Sequence, residues 1–212
     1  MIELRAAYLD AATSAATLLA DPAVAAAWDE PSALPEFGVA GLAGHLAHQV
    51  LTVPAVLANP LPDVPPISLH GHYAAASWRT SGVHDEVNVG IREQGAAHAA
   101  KGAGPLLDRL HDTIAALREA LPGEPADRVV FLPWGPWSLR LDDFLVTRMM
   151  EIAVHSDDLA VSVAIATPDL PAAVFEPVLA LLSALAVRRH GQVAVLRALS
   201  RAERASAAIN AI

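Results

Sequence analysis

The stretch Arg148-Met149-Met150-Glu151-Ile152-Ala153-Val154-His155-Ser156-Asp157-Asp158-Leu159 carries the reading of the whole chain. Arg148, Glu151, His155 and Asp158 are spaced three, four and three apart, which sets them in one stripe along a helix. Val146, Met149, Met150, Ile152, Ala153, Val154 and Leu159 surround that stripe, and the middle of the segment holds no other charge. A helix that is apolar on nearly every side belongs in an interior. Its ionisable groups then need partners, because an unpaired buried charge is costly.

Two arrangements meet that need. The stripe can be a salt-bridged set facing solvent or a neighbouring element. Alternatively, Glu151 and His155, at i and i+4, can both reach one divalent ion, as helical bundles do when facing helices assemble a metal site. One helix then gives two ligands and a third comes from elsewhere. The segment Gly41-Leu42-Ala43-Gly44-His45-Leu46-Ala47-His48 offers His45 and His48, three apart on a largely apolar helix. Three protein ligands leave a position open for water or substrate, the catalytic arrangement for zinc. His84, His98, His111 and His190 show no partner spacing with a carboxylate, and His70 and His72 form only a loop pair. Spacing alone leaves both arrangements open.

Outward from this stretch, helical periodicity dominates. A first helix is expected over 1–20, with Leu4, Tyr8, Ala11, Ala15 and Leu18 on one side, and a short piece to Trp28 after Asp21-Pro22. A second runs from Val39 to Ala58, kinked or ended by Pro54. Residues 59–66 hold four prolines and read as a connector. Weak helical signal returns over Tyr73 to Trp78, and longer helices cover His84 to Ala100 and Leu106 to Leu121. Arg128 to Pro133 is the one strand-like run, and Trp134-Gly135-Pro136-Trp137 reads as a rigid aromatic turn. The helix carrying the stripe is expected to start at Ser138 as N-cap, with Asp142 and Asp143 at its positive end, and to reach Ala166. Segments Ala172 to Arg188 and Gln192 to Ala211 complete an all-α chain: a four-helix bundle over 1–166 and a C-terminal helical extension over 167–212 packed on it.

Composition narrows the functions. Of 212 residues, 54% are hydrophobic and only 17% charged, with alanine supplying much of the excess. The longest apolar candidate for a membrane span, Val174 to Val187, is too short for the roughly 20 residues required and contains Glu176, Pro177 and Ser183. No basic region precedes an apolar run at the start, so a cytoplasmic location is expected. With no cysteine, any thiol in the chemistry comes from a second molecule. A net charge of −9 and a single lysine, Lys101, argue against nucleic acid as a partner.

Two segments resemble a known family. Residues 134–160, with their R-x-x-E-x-x-x-H-x-x-D-L pattern over Arg148 to Leu159, are similar to a segment of the mycothiol-dependent maleylpyruvate isomerase family. Val39-Ala40-Gly41-Leu42-Ala43-Gly44-His45-Leu46-Ala47 resembles that family's V-x-x-L-x-x-H-L-A segment. The resemblance implies a DinB-like four-helix bundle carrying three metal ligands, usually for zinc. Carried over residue by residue, the ligands fall on His45, Glu151 and His155, and the register of the motif favours His45 over His48. Arg148 and Asp158 match further motif positions and are implied to orient ligands or substrate. The implied chemistry is that of a metal-dependent transferase or isomerase using a mycothiol-like thiol on a small electrophile. A non-catalytic metal- or ligand-binding bundle is the alternative, and association as a homodimer is compatible with either.

Overall fold

The computed structural model describes residues 2–61, 64–76, 81–205 and 208–212. Helix α1 spans Ile2–Leu19, and its alanine-rich face, with Ala7, Tyr8, Ala11, Ala12, Ala15 and Ala16, is buried. Asp21 caps the short α2, Pro22–Ala26, by accepting from the Ala23 amide, with Pro22 at the first helical position. The second long helix breaks at Thr52 into α3, Val39–Leu51, and α4, Val53–Ala58, with Pro54 in the first turn of the latter. By length and composition the stretch Val39–Ala58, with a mean hydropathy of 1.2, could cross a membrane, yet 67% of it is buried inside this protein. It is thus a longer apolar candidate than Val174 to Val187.

Helix α5, Leu69–Ala75, begins earlier than expected because the Ser68 hydroxyl caps it through the Gly71 amide. The expected end at Trp78 lies outside the described residues. Helix α6 spans Glu86–Ala99 and α7 spans Ala103–Ala120, separated by Lys101-Gly102, with Gly102 at φ +93°. Strands β1, Val129–Leu132, and β2, Trp137–Arg140, pair antiparallel, Val129 opposite Arg140 and Leu132 opposite Trp137. That hairpin corrects one expectation. Ser138 is not an N-cap but a strand residue paired with Phe131, and α8 begins at Leu141, whose amide bonds the Arg128 carbonyl.

Helix α8, Leu141–Ser162, also ends earlier than Ala166. Ala164 adopts φ +56° and the Ile165 amide reaches back to the Ala160 carbonyl at 3.0 Å, a Schellman-type stop. Alanine occupies the position where glycine normally announces such a stop, so the sequence hid it. Helix α9 covers Ala172–His190 and α10 covers Gln192–Ser200, not Ala211. Beyond Leu199 only alanines are apolar until Ile209, too little to hold more helix on a core.

The bundle is formed by α1, α3, α7 and α8, each packed on its neighbours, with α6 laid along α3 and α9 covering α1 and α8. Arg5 fastens it. Its guanidinium donates to the Leu121, Glu124 and Pro125 carbonyls and pairs with Asp142 at 3.1 Å. Contact between α3 and α6 is made backbone to backbone. A Cβ on Gly44 would meet the Gly95 carbonyl, and a Cβ on Gly95 the Gly41 carbonyl, both closer than 3.0 Å.

Two glycines on α6 should therefore respond oppositely to alanine. Gly95→Ala forces helix backbones apart and should cost about 1–3 kcal/mol or more. Gly90→Ala meets nothing within 4 Å and should stabilise by roughly 0.5–1 kcal/mol. Denaturant midpoints of the two variants test this; an unchanged midpoint for Gly95→Ala would contradict the close approach.

Candidate functional site

Helix α8 positions most of the site because it is sealed by Phe144, Leu145, Met149, Met150, Ile152 and Leu159 while its polar stripe turns inward. Glu151 and His155 project from it towards His45 on α3. One donor atom from each of the three lies within 4.8 Å of the others. The His45 and His155 rings meet edge to face, centroids 4.7 Å apart. His155 sits between two carboxylates on its own helix: Nε2 is 3.2 Å from Glu151 Oε2 and Nδ1 is 2.9 Å from Asp158 Oδ2.

Electrostatics follow from this crowding. Burial opposes charge on His155, but its hydrogen bonds to Asp158 and Glu151 outweigh burial and raise its pKa. Burial likewise works against the Glu151 carboxylate, while its bond to His155 and the charges of His155 and Arg148 hold its pKa down. Two carboxylates around one imidazole favour positive charge at this point, as a proton or as a metal ion. His45 is different: burial, reinforced by His155, pushes it down to about 3, so it is a neutral imidazole with a lone pair to offer.

His48 does not join the three. Its Nδ1 lies 3.1 Å from His98 Nε2 on α6, and Arg109 reaches the other nitrogen of His98 at 3.4 Å. Arg148 is buried, donating to Thr147 Oγ1 and to Gln49 Oε1. Its guanidinium lies 5.4 Å from the Phe144 ring centre. Gln49 closes the circuit by donating to the His45 carbonyl at 2.9 Å, with its amide nitrogen 3.3 Å from His45 Nε2. Phe37, from the loop before α3, sets its ring against His45.

Sequence reasoning gave Gln49 no role, although its i, i+4 relation to His45 repeats that of Glu151 to His155. His98 and His72 show no partner spacing in the sequence, yet both are engaged in the structure. Their partners, His48 and Trp137, come from other elements and leave no local spacing to read. The Trp137 indole donates to His72 Nδ1 at 3.1 Å, whereas Trp134 at the hairpin tip is 54% exposed.

The family profile described as Mycothiol maleylpyruvate isomerase N-terminal domain matches residues 8–160. The chain belongs to that family. Its match covers α1 through most of α8 and hence every residue of the site just described. No curated protein and no solved structure matches the chain. The protein is thus a mycothiol-related, DinB-like helical protein with a His–His–Glu group able to hold a divalent metal.

His72, buried against Trp137 and Tyr73, adds to the pH dependence of the fold. Burial, helped by the positive charge of Arg148 and opposed by Glu151, pushes it down to about 4. The unfolded chain, near 6.5, takes up the proton first, so the contribution is complete above about pH 6.5 and is lost as pH falls towards 4. His72→Gln keeps an acceptor for Trp137 and should make the fall in denaturant midpoint between pH 7.5 and pH 4.5 shallower, the part due to buried His45 and His48 remaining. An equally steep fall in the variant would remove His72 from the account.

Proposed function

We propose that His45, Glu151 and His155 hold a divalent metal, most simply zinc, and that the protein uses it to transfer a low-molecular-weight, mycothiol-like thiol to a small electrophile or to isomerise that electrophile. The observation that carries this reading is the convergence of two imidazoles and one carboxylate from facing helices, inside a chain of a mycothiol-named family. The donor set fits the group: nitrogen and carboxylate ligands, three in number, on rigid helices. A bound divalent metal would supply the charge that lets a thiol ionise at neutral pH, and the thiolate is the nucleophile.

The chain's own residues prepare that event. Asp158 accepts from His155 Nδ1 and so directs Nε2 towards the shared point, as carboxylates behind ligating histidines do. Arg148 sits beside the site with its charge turned to neutral partners and orients what lies around it. Chemically, the sulfur adds to an electrophilic carbon. The C–S bond forms as the π bond breaks, and its electron pair moves onto the conjugated carbonyl as an enolate. Transfer ends when the enolate carbon takes up the proton the thiol gave up. Isomerisation continues instead by rotation about the bond made single, re-formation of the double bond and departure of the same thiolate. The cysteine-free chain leaves the thiol to a partner molecule, and a cytoplasmic setting keeps such a thiol reduced.

Protein purified without a metal-chelating tag should contain close to one divalent metal per chain by elemental analysis. His155→Ala should lose most of it, together with thiol-dependent consumption of a test electrophile such as maleylpyruvate with mycothiol. Its circular dichroism should stay nearly unchanged, because truncating one side chain on so well-packed a helix costs about 1–3 kcal/mol. Asp158→Asn should act more gently, lowering metal affinity or activity by about 10–100-fold. A His155→Ala protein that keeps its metal and reacts like the parent would end this reading; metal without any thiol-dependent turnover would leave a metal-binding protein.

A further inference from the structure

The C-terminal extension turns an apolar stripe outward. Val195 is the only buried residue of α10, which packs on α9. Val193, Leu196 and Leu199 stand at 57, 62 and 71% exposure instead. Spaced three apart, they fall within an arc of about 120° on the helix. A single exposed leucine is ordinary, but a stripe of large apolar side chains on one short helix marks a surface that something covers.

The charge around the stripe says what covers it. Residues 188–204 hold five of the chain's fourteen basic residues, Arg188, Arg189, Arg197, Arg201 and Arg204, against a single acid, Glu203. The chain as a whole has a net charge of −9, so this segment runs against the rest. All five arginines are exposed, and only Arg204 approaches a carboxylate, that of Glu203 at 4.0 Å. Among the described residues the other four form no ion pair. Arg197 borders the apolar arc, Arg201 caps the end of α10, and the turn at Gly191 sets Arg188 and Arg189 beside its start.

The partner must therefore be anionic and also accept hydrocarbon. Nucleic acid supplies the charge but draws on aromatic side chains for stacking, and residues 187–204 contain no Phe, Tyr or Trp. A second copy meeting this patch with its own would set arginine against arginine. A bilayer face rich in anionic lipid meets both demands, with phosphates for the guanidinium groups and an acyl boundary for the leucines. The acidic remainder of the protein does not cancel the attraction, because exposed charges further off than the Debye length of about 8 Å are screened.

We propose that α10 and the arginines around it form a docking surface for an anionic membrane face, which holds the bundle at the bilayer as a peripheral protein. With nine residues, α10 lies in the headgroup plane and does not span. The family profile ends at residue 160, so this surface belongs to what the chain adds to the family domain. It stands apart from the metal site and does not depend on it.

Co-sedimentation of the full chain with lipid vesicles tests this. The protein should pellet with vesicles of mixed phosphatidylglycerol and phosphatidylcholine, stay in solution with phosphatidylcholine alone, and be released from the former by high salt. An arginine near an anionic surface is worth about fivefold in partitioning, so Arg197→Glu combined with Arg201→Glu should bind at least about tenfold more weakly. Leu196→Ser combined with Leu199→Ser should also lose binding, since it removes the inserted side chains and keeps the charge. All four positions are exposed, and unchanged circular dichroism confirms that the variants are folded. No pelleting with the anionic vesicles, equal pelleting with the neutral ones, or variants that bind like the parent each overturn the proposal. A parent that is dimeric by sedimentation velocity, and made monomeric by the leucine substitutions, would give the stripe to a second copy and overturn it as well.

Discussion

Charge brought indoors is the constraint that organises this protein. Helix α8 is wrapped in buried aliphatic and aromatic side chains, yet one of its faces carries Arg148, which is buried, and Glu151, His155 and Asp158, which are partly buried. None of these can be left without a partner in a low-dielectric interior. The stripe solves part of the problem by itself, through the Glu151–His155–Asp158 chain of contacts. The remainder is solved by α3, which supplies His45 and Gln49 opposite it. The fold can thus be described as whatever keeps α3 and α8 at a fixed separation and rotation.

Several features serve that end. Glycines at 44 and 95 let α6 lie directly on the backbone of α3, so α3 cannot roll without colliding with it. On that shared face His48 is engaged with His98, which removes the other histidine of α3 from competition for the central point. The β1–β2 hairpin sets where α8 starts, and through Trp137 it also anchors His72. A site built on helices locked from behind holds its donors within narrow limits, which ligand geometry demands.

What could be read from the sequence was local. The stripe on α8 needs only the period of a helix, and the break near Pro54 needs only the chemistry of proline. The bundle followed from counting such segments. The start of α8 escaped because Ser138 and the two aspartates suit a helix end equally well whether or not a strand precedes them; only pairing with Val129–Leu132 decides. The stop at Ala164 escaped because left-handed backbone there is imposed by surroundings and not by residue type. The choice between His45 and His48, open on spacing, needed the family motif, since three residues on a helix differ by under one turn. Gln49 is the instructive omission. Its importance lies in an arginine 99 positions away, and no window along the chain contains both.

Arg5 draws out a consequence in time. Its partners, the carbonyls of Leu121, Glu124 and Pro125 and the carboxylate of Asp142, lie 116 to 137 positions further along the chain. A ribosome adding about 5–20 residues per second needs roughly 6 to 27 seconds to deliver them after Arg5 has been added. During that interval the alanine-rich face of α1 has neither α7 nor α8 to cover it. Closure of the bundle therefore waits for residues 121–142, and until they arrive the apolar face of α1 is one that a chaperone would have reason to meet.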